Sequence, residues 1–206
     1  MGRTSDARNK ILTAAQSLIE LRGYSALGVA EICKKAEVPK GSFYYFFDSK
    51  EALALAVIDE HWALQQQGWA RALGGNEEPL KRLRQLFEET QAAQSAGQAT
   101  CGSVAGCMFG NLSLELSNQT EAIRERLQQI FDAQVGMVEE VIAAALERED
   151  ITVADTRQAA RSVVAQLEGQ VLFAKLYNNT DQLDTLWANC LALLRASAPA
   201  ETAATV

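Results

Sequence analysis

The sequence predicts an all-α protein: a three-helix helix-turn-helix head followed by a larger helical domain. Three observations carry that prediction. Proline, which cannot continue a helix, occurs only 3 times in 206 residues. Apolar residues recur at three- and four-residue spacing through most of the chain. Capping residues stand where those patterns begin, and glycines where several of them end.

The first helix is expected in SDARNKILTAAQSLIELRGY, capped at Ser5 or Asp6 and ended by Gly23. Ile11, Leu12, Ala15, Leu18 and Ile19 share one face of it. A second helix runs from about Val29 to Ala36 with Val29, Ile32 and Cys33 inward, and Glu37-Val38-Pro39 makes a turn. Pro39 fits the start of a third helix, Lys40 to Phe47. A fourth opens at Asp48 or Ser49, with Glu51 in its first turn, and reaches about Leu73. GGNEEP, Gly74 to Pro79, is the clearest break. Further helices are expected at Pro79 to Ala93, Cys107 to Leu116, Glu121 to Arg148, Val153 to Asn178 and Asp181 to Ala196. Ser95 to Gly106, rich in Gly, Ala and Ser, reads as a loop, and residues 199–206 as a disordered tail. The expected division is a head at 1–50 and a second domain at 51–198. The fourth helix serves both.

Composition narrows the function. At 48% hydrophobic and 22% charged residues the chain has the make-up of a globular protein with a real core. No apolar run approaches the roughly 18 residues that span a bilayer. The start MGRTSDARNK lacks a signal-peptide core, and Asp6 spoils an acylation pattern, so a cytoplasmic protein without a membrane partner is expected. Cys33, Cys101, Cys107 and Cys190 are scattered, with neither disulfide-framework nor zinc spacing. One histidine, His61, leaves little room for a Ser-His or Cys-His engine, and no glycine-rich phosphate loop is present. An enzyme, a metal site and a cofactor are therefore not expected.

Charge is uneven. The chain carries −7, yet residues 1–50 hold eight Lys/Arg against five acids, a balance of +3 that leaves −10 for the rest. A basic head on an acidic body suits nucleic-acid binding at one end. The stretch VPKGSFYYFFDSKEAL sharpens this. A short helix, a turn and a second short helix on a longer first helix form a helix-turn-helix, whose second short helix enters the major groove. Phe43 and Phe47, four apart, point to the core, which turns Tyr44 and Tyr45 outward toward phosphate oxygens. Lys40 and Lys50 flank the helix as phosphate-neutralising cations, Gly41 admits close backbone approach, and Ser42 reaches a base edge or phosphate.

Residues 8–57 resemble the DNA-binding domain of the TetR family of transcriptional regulators. The resemblance is carried by Ile11-Leu12, Ala14-Ala15, Gly23-Tyr24, Ile32, Ala36, Val38, Lys40-Gly41-Ser42-Phe43-Tyr44, Phe47, Ser49-Lys50-Glu51 and Leu53. It implies a homodimer on palindromic double-stranded operator DNA, released by a small-molecule effector. The chain departs from the family where Glu37 replaces a usual Gly, Leu27-Gly28 a usual Thr cap, and Phe46 a common His. Gly106-Cys107-Met108-Phe109-Gly110-Asn111, with Glu115 four residues on, resembles the branch of acrylate- and N-ethylmaleimide-responsive repressors, as do Glu168-Gly169 and Lys175. That implies an effector among small electrophiles or related carbonyl compounds.

Two readings of the effector site stay open. Cys107 opens a helix, whose dipole favours a thiolate, with Lys175 a second source of positive potential and Cys101 a candidate resolving thiol. Alternatively Cys107 is a buried small hydrophobe, as Cys33 and Cys190 are expected to be, and the effector is a reversible hydrophobic guest. Its pocket is then expected between the fourth helix (His61, Trp62, Gln65, Trp69) and Asn111, Glu168, Leu172 and Lys175. Val164, Leu167, Val171 and Ala174, with Leu186, Cys190, Leu193 and Leu194, form stripes that suit either a four-helix dimer interface or packing within the chain. A helical interaction protein without DNA binding would account for the second domain but not for Lys40 to Lys50.

Overall fold

Helix boundaries fall where local chemistry supplies a stop. In the computed structural model, residues 2–195 are described. Among them α1 (Gly2–Arg22), α2 (Val29–Lys35), α3 (Lys40–Phe46), α4 (Lys50–Leu73), α5 (Pro79–Cys101), α6 (Met108–Leu116), α7 (Glu121–Glu147), α8 (Thr156–Tyr177) and α9 (Leu186–Leu194) follow in order. A 3-10 turn, Thr180–Leu183, separates α8 from α9. The expected disordered tail lies outside the described residues.

Gly23 ends α1 with φ 78, in the left-handed region that glycine enters freely. Glu37, where the family usually has Gly, also stands left-handed, at φ 55. The turn geometry is therefore kept, at a strain of about 1–2 kcal/mol. Ser49 caps α4, its hydroxyl accepting from the Ala52 amide at 3.0 Å. Asp155 caps α8 in the same way through Gln158, at 2.9 Å.

Three expectations need correction. Helix α1 begins at Gly2, so Ser5 and Asp6 lie inside it, and Asp6 instead pairs with Lys10 at 3.0 Å. Helix α5 does not stop near Ala93 but runs to Cys101, because one glycine, Gly97, is too little to break it; the stop is Gly102 at φ 76. The last helix starts late, at Leu186, because the Asn179 side chain accepts from the Asp181 amide and sets a 3-10 turn first.

Two apolar clusters hold the molecule. One begins in the head with Ile11, Leu12, Ile32, Phe43 and Phe47 and continues through Val57, Ile58 and Trp62 to Phe109, Leu112, Leu116, Ile123 and Ile130. The expected division at residue 50 thus falls inside a continuous core. The other cluster packs α4, α5, α7, α8 and α9 around Trp69, Phe87, Ile142, Val163 and Leu167. The stripes read as a candidate interface (Val164, Leu167, Val171, Ala174, Leu186, Cys190 and Leu194) are buried within this cluster. The apolar face that α8 turns to solvent is instead Leu172, Phe173, Leu176 and Tyr177. Among the described residues no helix is long and apolar enough to cross a membrane.

Phe109 is fully buried where α4 meets α6, its ring edge-on to His61 and Trp62 at 5.2 and 6.1 Å. Phe109→Ala is expected to cost about 3–5 kcal/mol. Urea unfolding of the two proteins measures the difference.

Candidate DNA interface and effector site

The head presents α3 as a two-faced helix. Phe43 is 0% exposed and Phe47 5%, whereas Tyr44 and Tyr45 are 55% and 74% exposed, so the helix turns phenols outward and phenyls inward. Lys40 and Gly41 are exposed at its start and Ser42 is half-buried. A side chain on Gly41 would meet nothing within 4 Å, which leaves that backbone open to a close partner. Lys40, Gly41, Ser42, Tyr44 and Tyr45 thus share one region of the head surface.

Lys50 does not join them as expected. Its ammonium donates to the Leu27 carbonyl at 2.8 Å and lies 4.0 Å from the centre of the Tyr24 ring. Burial lowers its pKa, and Glu115 partly offsets that by raising it. The residue braces the turn between α1 and α2 from the inside. Glu115, at the far end of α6, holds the same turn from the other side: its carboxylate accepts from the Tyr24 amide at 2.9 Å and the Ser25 amide at 2.6 Å.

The second region lies where α6 meets α8, and it explains the Gly-Cys-Met-Phe-Gly-Asn segment residue by residue. Gly106 has φ 78, and a Cβ there would stand 2.8 Å from the Lys175 side chain. Cys107 is the N-cap of α6, its sulfur accepting from the Gly110 amide at 3.5 Å. A Cβ on Gly110 would stand 2.7 Å from the Glu168 carboxylate and 3.6 Å from the Cys107 Cβ, so only glycine lets the two helices approach this closely. Asn111 accepts from the Lys175 ammonium at 2.9 Å and donates to the Ala105 carbonyl at 3.1 Å. The preceding loop is pinned by Gln94, which bonds both the amide and the carbonyl of Gly106, and by Asn178, which bonds Val104 and Gly102.

Cys107, Asn111, Glu168 and Lys175 are therefore brought together. The thiol chemistry runs opposite to the expectation. Burial pushes the Cys107 thiol well above its usual pKa and the neighbouring Glu168 pushes it further, while the Gly110 amide pulls only weakly the other way. The thiol donates to Glu168, whose own pKa is raised by burial. Cys107 is a protonated thiol at neutral pH.

Two cavities meet at this point. An outer groove of about 500 Å³ lies between α6, α7 and α8, against Phe131, Val135, Arg157, Arg161, Leu172 and Lys175. A second, equally open chamber of about 480 Å³ reaches α1, α4 and α5, against His61, Gln65, Trp69, Glu89 and Gln94. Gly106, Cys107, Asn111, Glu168 and Val171 line both, so they form the wall between them. Trp62 lines neither; it is 6% exposed and packs on Phe109, a core position rather than a pocket one. Cys101 is exposed at the end of α5, and Cys33 and Cys190 are buried. Sequence reasoning missed Gln94, Asn178, Arg157 and Arg161, since nothing local marks the partner that each one reaches. It noted Glu115 in the motif but had no signal for its role.

An exposed recognition helix on a three-helix head, joined to a helical body with ligand-sized cavities, defines a helix-turn-helix transcriptional regulator. Residues 11–57 match the family described as bacterial regulatory proteins, tetR family, and residues 79–190 match the tetracyclin repressor-like C-terminal domain. The chain belongs to the TetR family. It is 31% identical to an HTH-type transcriptional regulator in the lacX 3' region of Lactococcus lactis subsp. lactis, over 87% of this chain and 89% of that one. It is 28% identical to the HTH-type transcriptional repressor NemR of Escherichia coli (strain K12), over 89% of this chain and 92% of that one. The crystal structure of E. coli NemR in its reduced form is similar with a TM-score of 0.83 and 27% identity, covering 95% of this chain and 99% of that one. This protein is a DNA-binding transcriptional regulator, not an enzyme.

The two lysines separate by experiment. Lys40→Ala is expected to flatten the slope of log affinity against log salt by about 0.9, the value of one phosphate contact. Lys50→Ala leaves that slope unchanged and lowers the unfolding midpoint by about 2–4 °C. Fluorescence anisotropy across a salt series and thermal melts read both.

Proposed function

We propose that this regulator is a homodimeric repressor, released from a palindromic operator when a small molecule seats against the wall of Cys107, Asn111 and Glu168. Residues 1–50 act as the DNA-binding head and 51–198 as the effector-binding and dimerisation part. The single observation that carries the reading is that wall, which presents the same polar groups to two ligand-sized cavities. Dimerisation through α8 and α9 is supported by the exposed Leu172, Phe173, Leu176 and Tyr177, with Phe173 and Tyr177 stacked at 6.3 Å on the α8 surface. A two-fold dimer sets two α3 helices about 34–36 Å apart, one turn of DNA. Lys40, Gly41, Ser42, Tyr44 and Tyr45 contact the operator, and the protein works in the cytoplasm beside its DNA.

The raised thiol pKa favours a reversible guest. A second reading keeps a reactive electrophile, because Cys107 lines both cavities and meets whatever enters either. In that reaction the sulfur adds to an activated alkene, and the thiol proton ends on the adjacent carbon. Operator binding measured with and without N-ethylmaleimide, for wild type and Cys107→Ser, separates the readings. Release of wild type alone assigns the effect to the thiol. Equal retention of both leaves the reversible guest. Release of both alike leaves Cys107 a core thiol, with the effect carried by a reversible guest or by another thiol.

The raised pKa sets a pH dependence. A thiol held protonated reacts faster as pH climbs toward its own pKa, so Cys107 carbamidomethylation by iodoacetamide is expected to be still rising above pH 9. Mass-spectrometric rates at Cys107 that level off below pH 8 would contradict this.

A further inference from the structure

We propose that Glu115 is a positioning residue for operator binding: a side chain of the effector half that sets the pose of the DNA-reading head. The inference needs the DNA-binding function but not the identity of any effector.

The turn from Gly23 to Gly28 joins α1 to α2, and α2 carries α3, so its shape decides where the recognition helix points. Its first amides, at Tyr24 and Ser25, have their partner 90 or so residues away, on the two oxygens of one carboxylate. Against desolvation, hydrogen bonds from the Ser25 side chain and from these two amides, with the charge of Lys50, lower the Glu115 pKa, so it is ionised at neutral pH. Gly23 is shaped to this contact, since a Cβ there would stand 3.0 and 3.3 Å from the two carboxylate oxygens. Lys50 closes the opposite side through Tyr24 and Leu27. One carboxylate from α6 and one ammonium from α4 thus clamp the turn.

Helix α6 has nine residues, about two and a half turns that join the cavity wall to the turn after α1. Its first turn carries Gly110 and Asn111 of the cavity wall, and its last turn carries Glu115. The two lie about 6–8 Å apart along the axis, at 1.5 Å per residue. A shift of α6 at the wall therefore reaches the head through this carboxylate directly, beside any route through α4.

The test uses the full-length protein and an operator duplex that the wild type selects from a random pool. Glu115→Gln turns an amide N–H toward one of the two backbone N–H groups and loses that bond. Operator affinity is expected to fall about tenfold with the salt slope unchanged, and the unfolding midpoint to fall by about 2–4 °C, as for Lys50→Ala at the other half of the clamp. Glu115→Asp, shorter but still charged, should recover part of the affinity. Wild-type affinity for Glu115→Gln overturns the proposal. So does a drop in affinity that vanishes once the fraction of folded protein at the assay temperature is counted, which would mark a merely structural contact; if Glu115→Gln does not fold, Glu115→Asp is read against the same criteria.

Discussion

The burial of Phe109 is the contact on which the rest of the architecture depends. Its ring sits between His61 and Trp62 and joins α6 to α4. Helix α4 packs on α1 in the head and on α5 and α7 in the body. Because α6 is fixed on this helix, its N-terminus abuts α8 and its C-terminus reaches the turn after α1. Remove the ring and both ends lose their register. The glycines of α6 follow from the same constraint: Gly110 exists so that Glu168 can stand against the first turn.

The chemistry at the wall is a contest that magnitudes decide. A helix N-terminus stabilises an anion by about 0.3–1 kcal/mol. Enclosing the thiolate in protein outweighs that pull, and the Cys107 pKa is raised well above its usual value. Glu168 adds a second unfavourable charge. Burial therefore wins, and the cap residue stays a thiol that gives its hydrogen to a carboxylate. Asn111 and Lys175 complete the wall as a hydrogen-bonded pair spanning two helices. Such a wall is polar, satisfied and thin, with space on both sides, so a guest in either cavity presses on the same residues.

What the sequence revealed and what it hid divide along the range of the forces. Caps and stops at Gly23, Ser49 and Gly74 are local, so most helices and the whole helix-turn-helix could be read from them. Helix α5 was underestimated because composition alone cannot show that Ser95, bonded to Thr180, lies against a neighbour that keeps it helical. Lys50 beside a recognition helix reads as a phosphate ligand until Leu27 and Tyr24 are seen to occupy it. Trp62 and His61 are adjacent on one helix and point about 100° apart; the position of Phe109 decides which of them lines the chamber. An apolar stripe has the same period whether it packs within a chain or between chains, so the α8 face could be found only by exposure. The Cys107–Glu168 pair spans 61 positions, a relation that a single sequence does not carry.

Helix α6 is proposed to carry the state of the cavity wall to the head. The most direct measurement is amide hydrogen exchange at Tyr24 and Ser25, whose N–H groups Glu115 accepts. It is made on the free protein, on the operator complex, and on protein alkylated at Cys107 with N-ethylmaleimide. Exchange at both amides is expected to be slower in the operator complex and faster after alkylation. Alkylated protein that has left its operator while both amides exchange as slowly as before would contradict it.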